Sequence, residues 1–314
     1  VLKIIARRVA ILPPLLLVIS FMVFALTAIS TTNPAEVILG PGATKTSIRA
    51  LSHQLGLNQP LLERYWSWLD HLFHGSLGLS WYGNIPVTTK LAQGAPITAA
   101  LVLSSLFVIA LVAIPAGLFA GMHPGGRFDR VAQAVAGLSL AMPEFWVGLI
   151  LILIFSEKLH FLPGTGPLRI TSNIGADVSH LVLPVFAISL PQICALFRLT
   201  QASAAEITDK EYLRTARAGG ISNLALLWIR LAKNALVPSV TLLALQLGRL
   251  IGIAAVVESV FGMQGIGSIA VQAALGSDIP TVLGVVLVTS VVVMFANLLA
   301  DVVCFYLSPV SRRT

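Results

Sequence analysis

Six apolar stretches, each about 20 residues long, set the terms for this chain: Val9–Ile29, Ile97–Met122, Val131–Phe155, Leu181–Leu199, Val237–Val257 and Thr281–Leu307. About 20 such residues cross the ~30 Å hydrocarbon core of a bilayer as one helix. An open strand edge cannot satisfy its backbone in lipid, so helices are the expected spanning element. The reading is an all-α polytopic membrane protein with six transmembrane helices. Composition agrees: the 314 residues are 56% hydrophobic and only 11% charged, whereas soluble domains are roughly a quarter charged. The formal net charge of +7 therefore does not point to nucleic acid; where the charges lie decides their meaning.

Lys3, Arg7 and Arg8 precede the first stretch, which superficially resembles a signal peptide. A signal h-region is only about 7–15 residues, and no small-x-small cleavage site stands before Asn33, so a retained first helix is expected. Cys194 and Cys304 both lie in apolar spans, where a buried, inert thiol is expected instead of a disulfide.

Basic residues in short loops set orientation. Lys3, Arg7, Arg8, Arg127, Arg130, Arg198, Lys210, Arg214, Arg217, Arg230, Lys233, Arg312 and Arg313 all fall on one side if the chain crosses six times. Both termini are then cytoplasmic. Glu157 to His180 carries two bases and two acids, and Glu258 to Pro280 two acids and no base. Residues 31–95 form a long extracytoplasmic segment in this scheme. Leu61–Phe73 within it places Leu62, Tyr65, Trp66, Leu69, Leu72 and Phe73 at helical spacing. A small helical cap packed near the membrane is expected, with Trp66, Trp68 and Trp81 suited to the interface.

Between the fourth and fifth spans lies a charged, glycine-containing stretch, Asp209-Lys-Glu-Tyr-Leu-Arg-Thr-Ala-Arg-Ala-Gly-Gly220, followed by Lys233-Asn-Ala-Leu-Val-Pro238. Small residues at Ala216, Ala218, Gly219 and Gly220 allow another backbone to come close, and the flanking charges can pair with a soluble surface. A solvated loop helix is the plain alternative. The wording Glu-Tyr-x-x-Thr-Ala-x-Ala-x-Gly followed by Asn-Ala-x-x-Pro resembles the cytoplasmic coupling loop of ABC-importer permeases of the dipeptide/oligopeptide/nickel branch. The resemblance continues in Gln54-Leu-Gly-Leu-Asn-Gln-Pro60, Gly75-Ser-Leu-Gly78, Pro143-x-Phe-Trp-x-Gly148, Leu162-Pro-Gly-Thr-Gly166, Val257-Glu-Ser-Val-Phe261, Gly265-x-Gly267, Asp278-x-Pro280, Asn297-Leu-Leu-x-Asp301 and Pro309-x-x-Arg312. Arg230, Gln264, Ser308 and Arg249 depart from the family's usual residues, where a histidine, a proline, an acid and a small or neutral side chain respectively are commoner.

The resemblance implies a type I importer permease of MetI-like architecture. Its parts would be a tail and first helix (1–30), an outer loop with short helices (31–95), a five-helix unit (96–307) containing the coupling loop 201–236, and a cytoplasmic tail (308–314). It further implies a second homologous permease, two cytosolic ATPase subunits that bind ATP and Mg, and an extracytoplasmic substrate-binding protein, all at a prokaryotic cytoplasmic membrane. No cofactor is implied on this chain itself. The ATPase contact would be Asp209, Glu211, Tyr212, Arg214, Thr215, Ala216, Ala218, Gly219 and Gly220. Dipeptide, oligopeptide, glutathione, nickel chelate and haem remain alternatives for the cargo. A stand-alone secondary transporter or channel would account for six spans, but not for the 209–220 stretch.

Other motifs are weaker. Gly40-Pro-Gly-Ala-Thr-Lys-Thr-Ser47 imitates a phosphate cradle, but Thr44 stands where glycine is required before lysine. Gly265-x-Gly267-x-x-Ala270 lacks the βαβ setting of a dinucleotide turn. His71 and His74 share a helix face without a supporting Cys or carboxylate pair. Charges within spans are functional candidates: Glu144, Arg249, Glu258 and Asp301. They line a pathway or pair structurally, Arg249 with Glu144 or Asp301. Pro184, Pro191 and Pro238 are expected to bend or start helices. No catalytic constellation is present in the sequence.

Overall fold

The computed structural model describes residues 2–29, 33–166, 174–208 and 232–307. The 209–220 stretch, with every predicted ATPase-contact residue, lies outside the described residues. The described elements are all helical: α1 (Leu2–Ile29), α2 (Pro34–Leu39), α3 (Lys45–Gln54), α4 (Leu61–Phe73), α5 (Val87–Met122), α6 (Arg127–Leu140), α7 (Glu144–Leu151), α8 (Ile174–Thr208), α9 (Ala232–Phe261), α10 (Ile266–Leu275) and α11 (Ile279–Leu307). A π-helical turn, Ile152–Lys158, continues α7.

By length and composition, four described helices can cross a membrane: Val87–Met122, Val178–Ile207, Pro238–Phe261 and Ile279–Val303. A bent pair, Arg127–Leu140 with Glu144–Lys158, makes five if counted as one crossing. The first stretch is helical as expected, but its described apolar part, Ala10–Leu26, is shorter than the others.

The third predicted span, Val131–Phe155, is not one straight helix. The chain turns by 103° between α6 and α7. Pro143 stands at the N-cap of α7 with φ −63° and ψ 142°. Proline lacks the N–H that would continue α6 and pushes the residue before it away from the helical region. In contrast, Pro184 and Pro191 lie inside α8, and Pro238 inside α9.

Residues 33–73 form the short helices α2, α3 and α4. The amphipathic helix α4 buries Tyr65 and Leu69 against Phe24 of α1 and against Ile279 and Leu283 of α11. The Tyr65 hydroxyl donates to the Leu17 carbonyl at 3.1 Å. Thr44, within the phosphate-cradle lookalike, caps α3 by accepting from the Ser47 N–H at 3.2 Å. That satisfies one of the donors left open at a helix start. The rings of His71 and His74 each bond a backbone carbonyl of their own segment, Ser67 at 2.6 Å and Asp70 at 2.8 Å.

The bundle core joins α5, α8 and α9 through Leu101, Ile109, Ile188, Leu196, Leu250 and Val257. Helices α5 and α8 approach closely because Gly117 and Gly121 have no side chain. A Cβ on either would stand 2.6 Å from Thr200 Cβ or 2.5 Å from Ala204 Cβ. The 36 residues of α5, at 1.5 Å each, span about 54 Å. The helix is therefore longer than a ~30 Å hydrocarbon core.

Candidate functional site

Every third or fourth residue along one side of α9 is exposed: Thr241, Leu245, Arg249, Gly252, Val256 and Ser259. This spacing keeps them on one stripe. Arg249 stands at the middle of the apolar segment Pro238–Phe261, and its side chain is 65% exposed. A cation at the bilayer centre costs about 2.5–3.5 kcal/mol on insertion scales. Beside it, the first residue of α7 supplies Glu144, whose Oε1 lies 4.0 Å from Arg249 Nη2. Gln192, 2% exposed on α8, donates from Nε2 to the same Glu144 oxygen at 3.4 Å.

The bend at Pro143 explains how Glu144 reaches this position. It lifts the start of α7 out of line with α6 and sets the carboxylate between α8 and α9. Three helices thus bring an acid, an amide and a cation together, the amide buried behind the exposed cation. The guanidinium carries five donors, and a carboxylate contact at 4.0 Å engages few of them. Where water reaches it, an ion pair this exposed contributes only about 0–1 kcal/mol, less than the cost of the cation in an apolar setting.

Glu258 occupies a different environment. It is fully buried. Its Oε1 accepts from Thr98 Oγ1 of α5 at 2.6 Å, and its Oε2 accepts from the Ser268 N–H at 2.8 Å. Thr98 Oγ1 in turn accepts from the Ile266 N–H at 2.8 Å. A carboxylate here satisfies open donors in the first turn of α10 and matches the helix dipole. Gly265 lies directly against this carboxylate, and Gly267 against the Ala255 backbone, so a Cβ at either would clash. Glu258 is therefore a latch joining α5, α9 and α10, set apart from the Arg249 face. Asp301 is half-buried on α11.

At the opposite end, Arg198 Nε donates to Gln133 Oε1 at 3.0 Å, and Gln133 Nε2 donates to Gln201 Oε1 at 3.3 Å. These side chains tie α6 to the last turns of α8, just before the 209–220 stretch. Gln192 and Thr98 were not singled out from the sequence. A lone glutamine or threonine in an apolar helix gives little signal until its partner is known.

Two family models match the chain. The "binding-protein-dependent transport system inner membrane component" model covers residues 113–313, and the corresponding N-terminal model covers residues 1–102. The chain belongs to this family of ABC-importer permeases. Among its relatives, a putative peptide transport system permease of Brucella abortus (strain 2308) is 32% identical over 298 residues, 95% of each chain. The glutathione transport system permease GsiC of Escherichia coli (strain CFT073) is 31% identical over 307 residues, 98% of this chain and 97% of the relative. The oligopeptide transport system permease AppB of Bacillus subtilis (strain 168) is 29% identical over 308 residues, covering 97% and 98%. A chain from an inward-facing structure of the MetNI methionine ABC transporter shares the fold, with a TM-score of 0.59 at 17% identity, covering 70% of this chain and 97% of that one. The permease is thus a membrane transport component by family, not an enzyme.

Proposed function

We propose that this chain forms one half of the translocation pathway of an ATP-driven importer for peptides or a related small solute. A second homologous permease supplies the other half, two ABC ATPases bind ATP and Mg, and an extracytoplasmic binding protein delivers the cargo. The chain crosses a prokaryotic cytoplasmic membrane six times with both termini inside. Transport proceeds by alternating access: closure of the ATPases moves the segment Asp209–Gly220, and the spans rock about the pathway.

The observation that carries this reading is the exposed cation at the centre of α9. A helix face with Arg249, Gly252 and Ser259 is poorly suited to lipid, whereas a water-filled path or the second permease can solvate or pair it. The five-helix unit 96–307 supplies the moving part, and the outer loop 31–95 caps it from outside. Relatives named as peptide, glutathione and oligopeptide permeases support the substrate class.

Co-purification in mild detergent tests the assembly: an ATPase subunit accompanies the permease. Gly220→Trp tests the coupling contact. Bulk at a close approach costs about 1–3 kcal/mol, so ATPase association weakens or hydrolysis uncouples from uptake. Normal association and normal uptake in that variant contradict the assignment. A cysteine at Ser47 reacts with an impermeant thiol reagent outside intact cells, whereas one at Ser203 reacts only after the membrane is opened. Reversed labelling contradicts the orientation. A stand-alone carrier would show transport without any ATPase.

A further inference from the structure

A chamber of about 600 Å³ opens between the first turns of α5, helix α10 and the start of α11. It lies at the end of the bundle opposite the α5–α8 contact at Gly121 and Ala204, and is separate from the Arg249 face. Its volume is in the range of small-molecule sites, about 300–1,000 Å³. Tyr82, Lys90, Gln93, Gln264, Gln272 and Asp278 contribute its polar lining.

The charged part of this lining is built into the fold. Asp278 is 1% exposed. It accepts from the Ser80 hydroxyl, from the Trp81 N–H at 3.0 Å and from Thr281 Oγ1 at 2.6 Å. Lys90 Nζ donates to Ser80 Oγ at 2.6 Å and stands 3.7 Å from the Asp278 carboxylate. The two charges cancel, but an ammonium has three donors, so Lys90 keeps capacity for another acceptor. The Tyr82 hydroxyl donates to the Gly276 carbonyl at 2.8 Å, closing one wall. The Glu258 latch fixes α10, which carries Ser268 and Gln272 into the lining.

The three glutamines are different. Gln93, Gln264 and Gln272 are exposed to the chamber. Each primary amide offers two donors and a carbonyl acceptor, the complement of a peptide bond. A site that is electrically balanced, rich in amides and equipped with one partly available ammonium suits a small solute carrying both amide and carboxylate groups.

We propose that this chamber is an outer binding site for a short peptide, in which Gln93, Gln264 and Gln272 bond its amide groups and Lys90 receives its terminal carboxylate. The inference deepens the importer reading and rests on it for the substrate class. The solute would occupy the permease here before reaching the Arg249 face.

The test is protection of a reporter cysteine. Cys194 and Cys304 are replaced by alanine, Gln264→Cys is introduced, and the complex is purified with any accompanying ATPase and reconstituted in lipid nanodiscs. The probe is trialanine, compared with trialanine amide. Trialanine slows alkylation of the Gln264→Cys site in a saturable way, whereas a cysteine at Ser47 is unaffected. Adding Gln93→Ala and Gln272→Ala weakens the protecting affinity by about tenfold for each lost amide bond. The amide protects less well than the acid, and Lys90→Met removes that difference. A Gln272→Cys reporter repeats the measurement should the first variant assemble poorly. Unprotected alkylation at both reporters, or protection indifferent to the glutamines and Lys90, overturns the proposal. The protection assay does not require an ATPase. Absence of an ATPase would count against the importer reading alone, whereas an active complex without protection would count against the chamber alone.

Discussion

Phe107 on α5 and Arg249 on α9 are each about two-thirds exposed on this chain, yet they belong to faces of opposite chemistry. The α5 stripe runs Leu103, Phe107, Leu111, all large and apolar. The α9 stripe runs Thr241, Leu245, Arg249, Gly252, Val256, Ser259. Both are mid-helix and both leave a face uncovered by the described residues. Area alone would treat them alike. Solvation separates them: a bilayer covers the first without penalty, whereas the second needs water or another polypeptide. The difference supports the proposal that α9 faces the pathway and α5 the lipid.

The two helices meet at Glu258, and breaking that joint has the largest expected effect. Glu258→Ala leaves Thr98 and the Ser268 N–H without their acceptor, at about 1–3 kcal/mol for each donor left unpaired. The unfolding midpoint of the purified complex falls sharply, and Glu258→Gln, which retains one acceptor, falls less. Equal midpoints for both variants and the parent would show that the latch does not hold α10.

A smaller effect is expected on the lipid side. Phe107→Arg places a cation on the α5 stripe at about 2.5–3.5 kcal/mol, so the yield of membrane-assembled complex drops. Arg249→Ala, on the other stripe, changes assembly by no more than about 1 kcal/mol, the upper worth of an exposed pair. Its effect is instead on transport, measured as altered uptake of charged relative to neutral cargo in proteoliposomes. Loss of assembly in Arg249→Ala would make the Glu144 pair structural and erase the contrast between the stripes.

The smallest effect concerns Gly252. A Cβ there meets nothing within 4 Å, and replacing glycine in a helix with alanine gains about 0.4–1 kcal/mol through the unfolded chain. Gly252→Ala therefore raises the midpoint slightly. A clear decrease would mean that a partner backbone packs against that position.

The sequence made much of the fold legible, because the length of an apolar run is a direct consequence of bilayer thickness. Helices α5, α8, α9 and α11 contain the predicted runs; of the face that periodicity assigned to α4, Tyr65 and Leu69 are buried, whereas Leu62, Trp66 and Phe73 are exposed. The turn between α6 and α7 was missed because apolar residues continue through Pro143, and a window of hydropathy does not register a change of direction. The site was less legible. Glu144, Arg249 and Glu258 announced themselves as charges in apolar helices, but the partners that separate their roles are distant in sequence: Gln192 for Glu144, Thr98 for Glu258. The Lys90, Ser80 and Asp278 cluster was equally hidden, since each residue is ordinary alone.

The most direct test of the two-stripe account is lipid quenching of a fluorophore at each stripe. A bimane is attached to a cysteine at Gly252 or at Phe107, in a background lacking Cys194 and Cys304, and the complex is reconstituted with brominated lipid. The account predicts strong quenching at Phe107 and little at Gly252. Quenching at Gly252 as strong as at Phe107 would place the α9 stripe against lipid and contradict it.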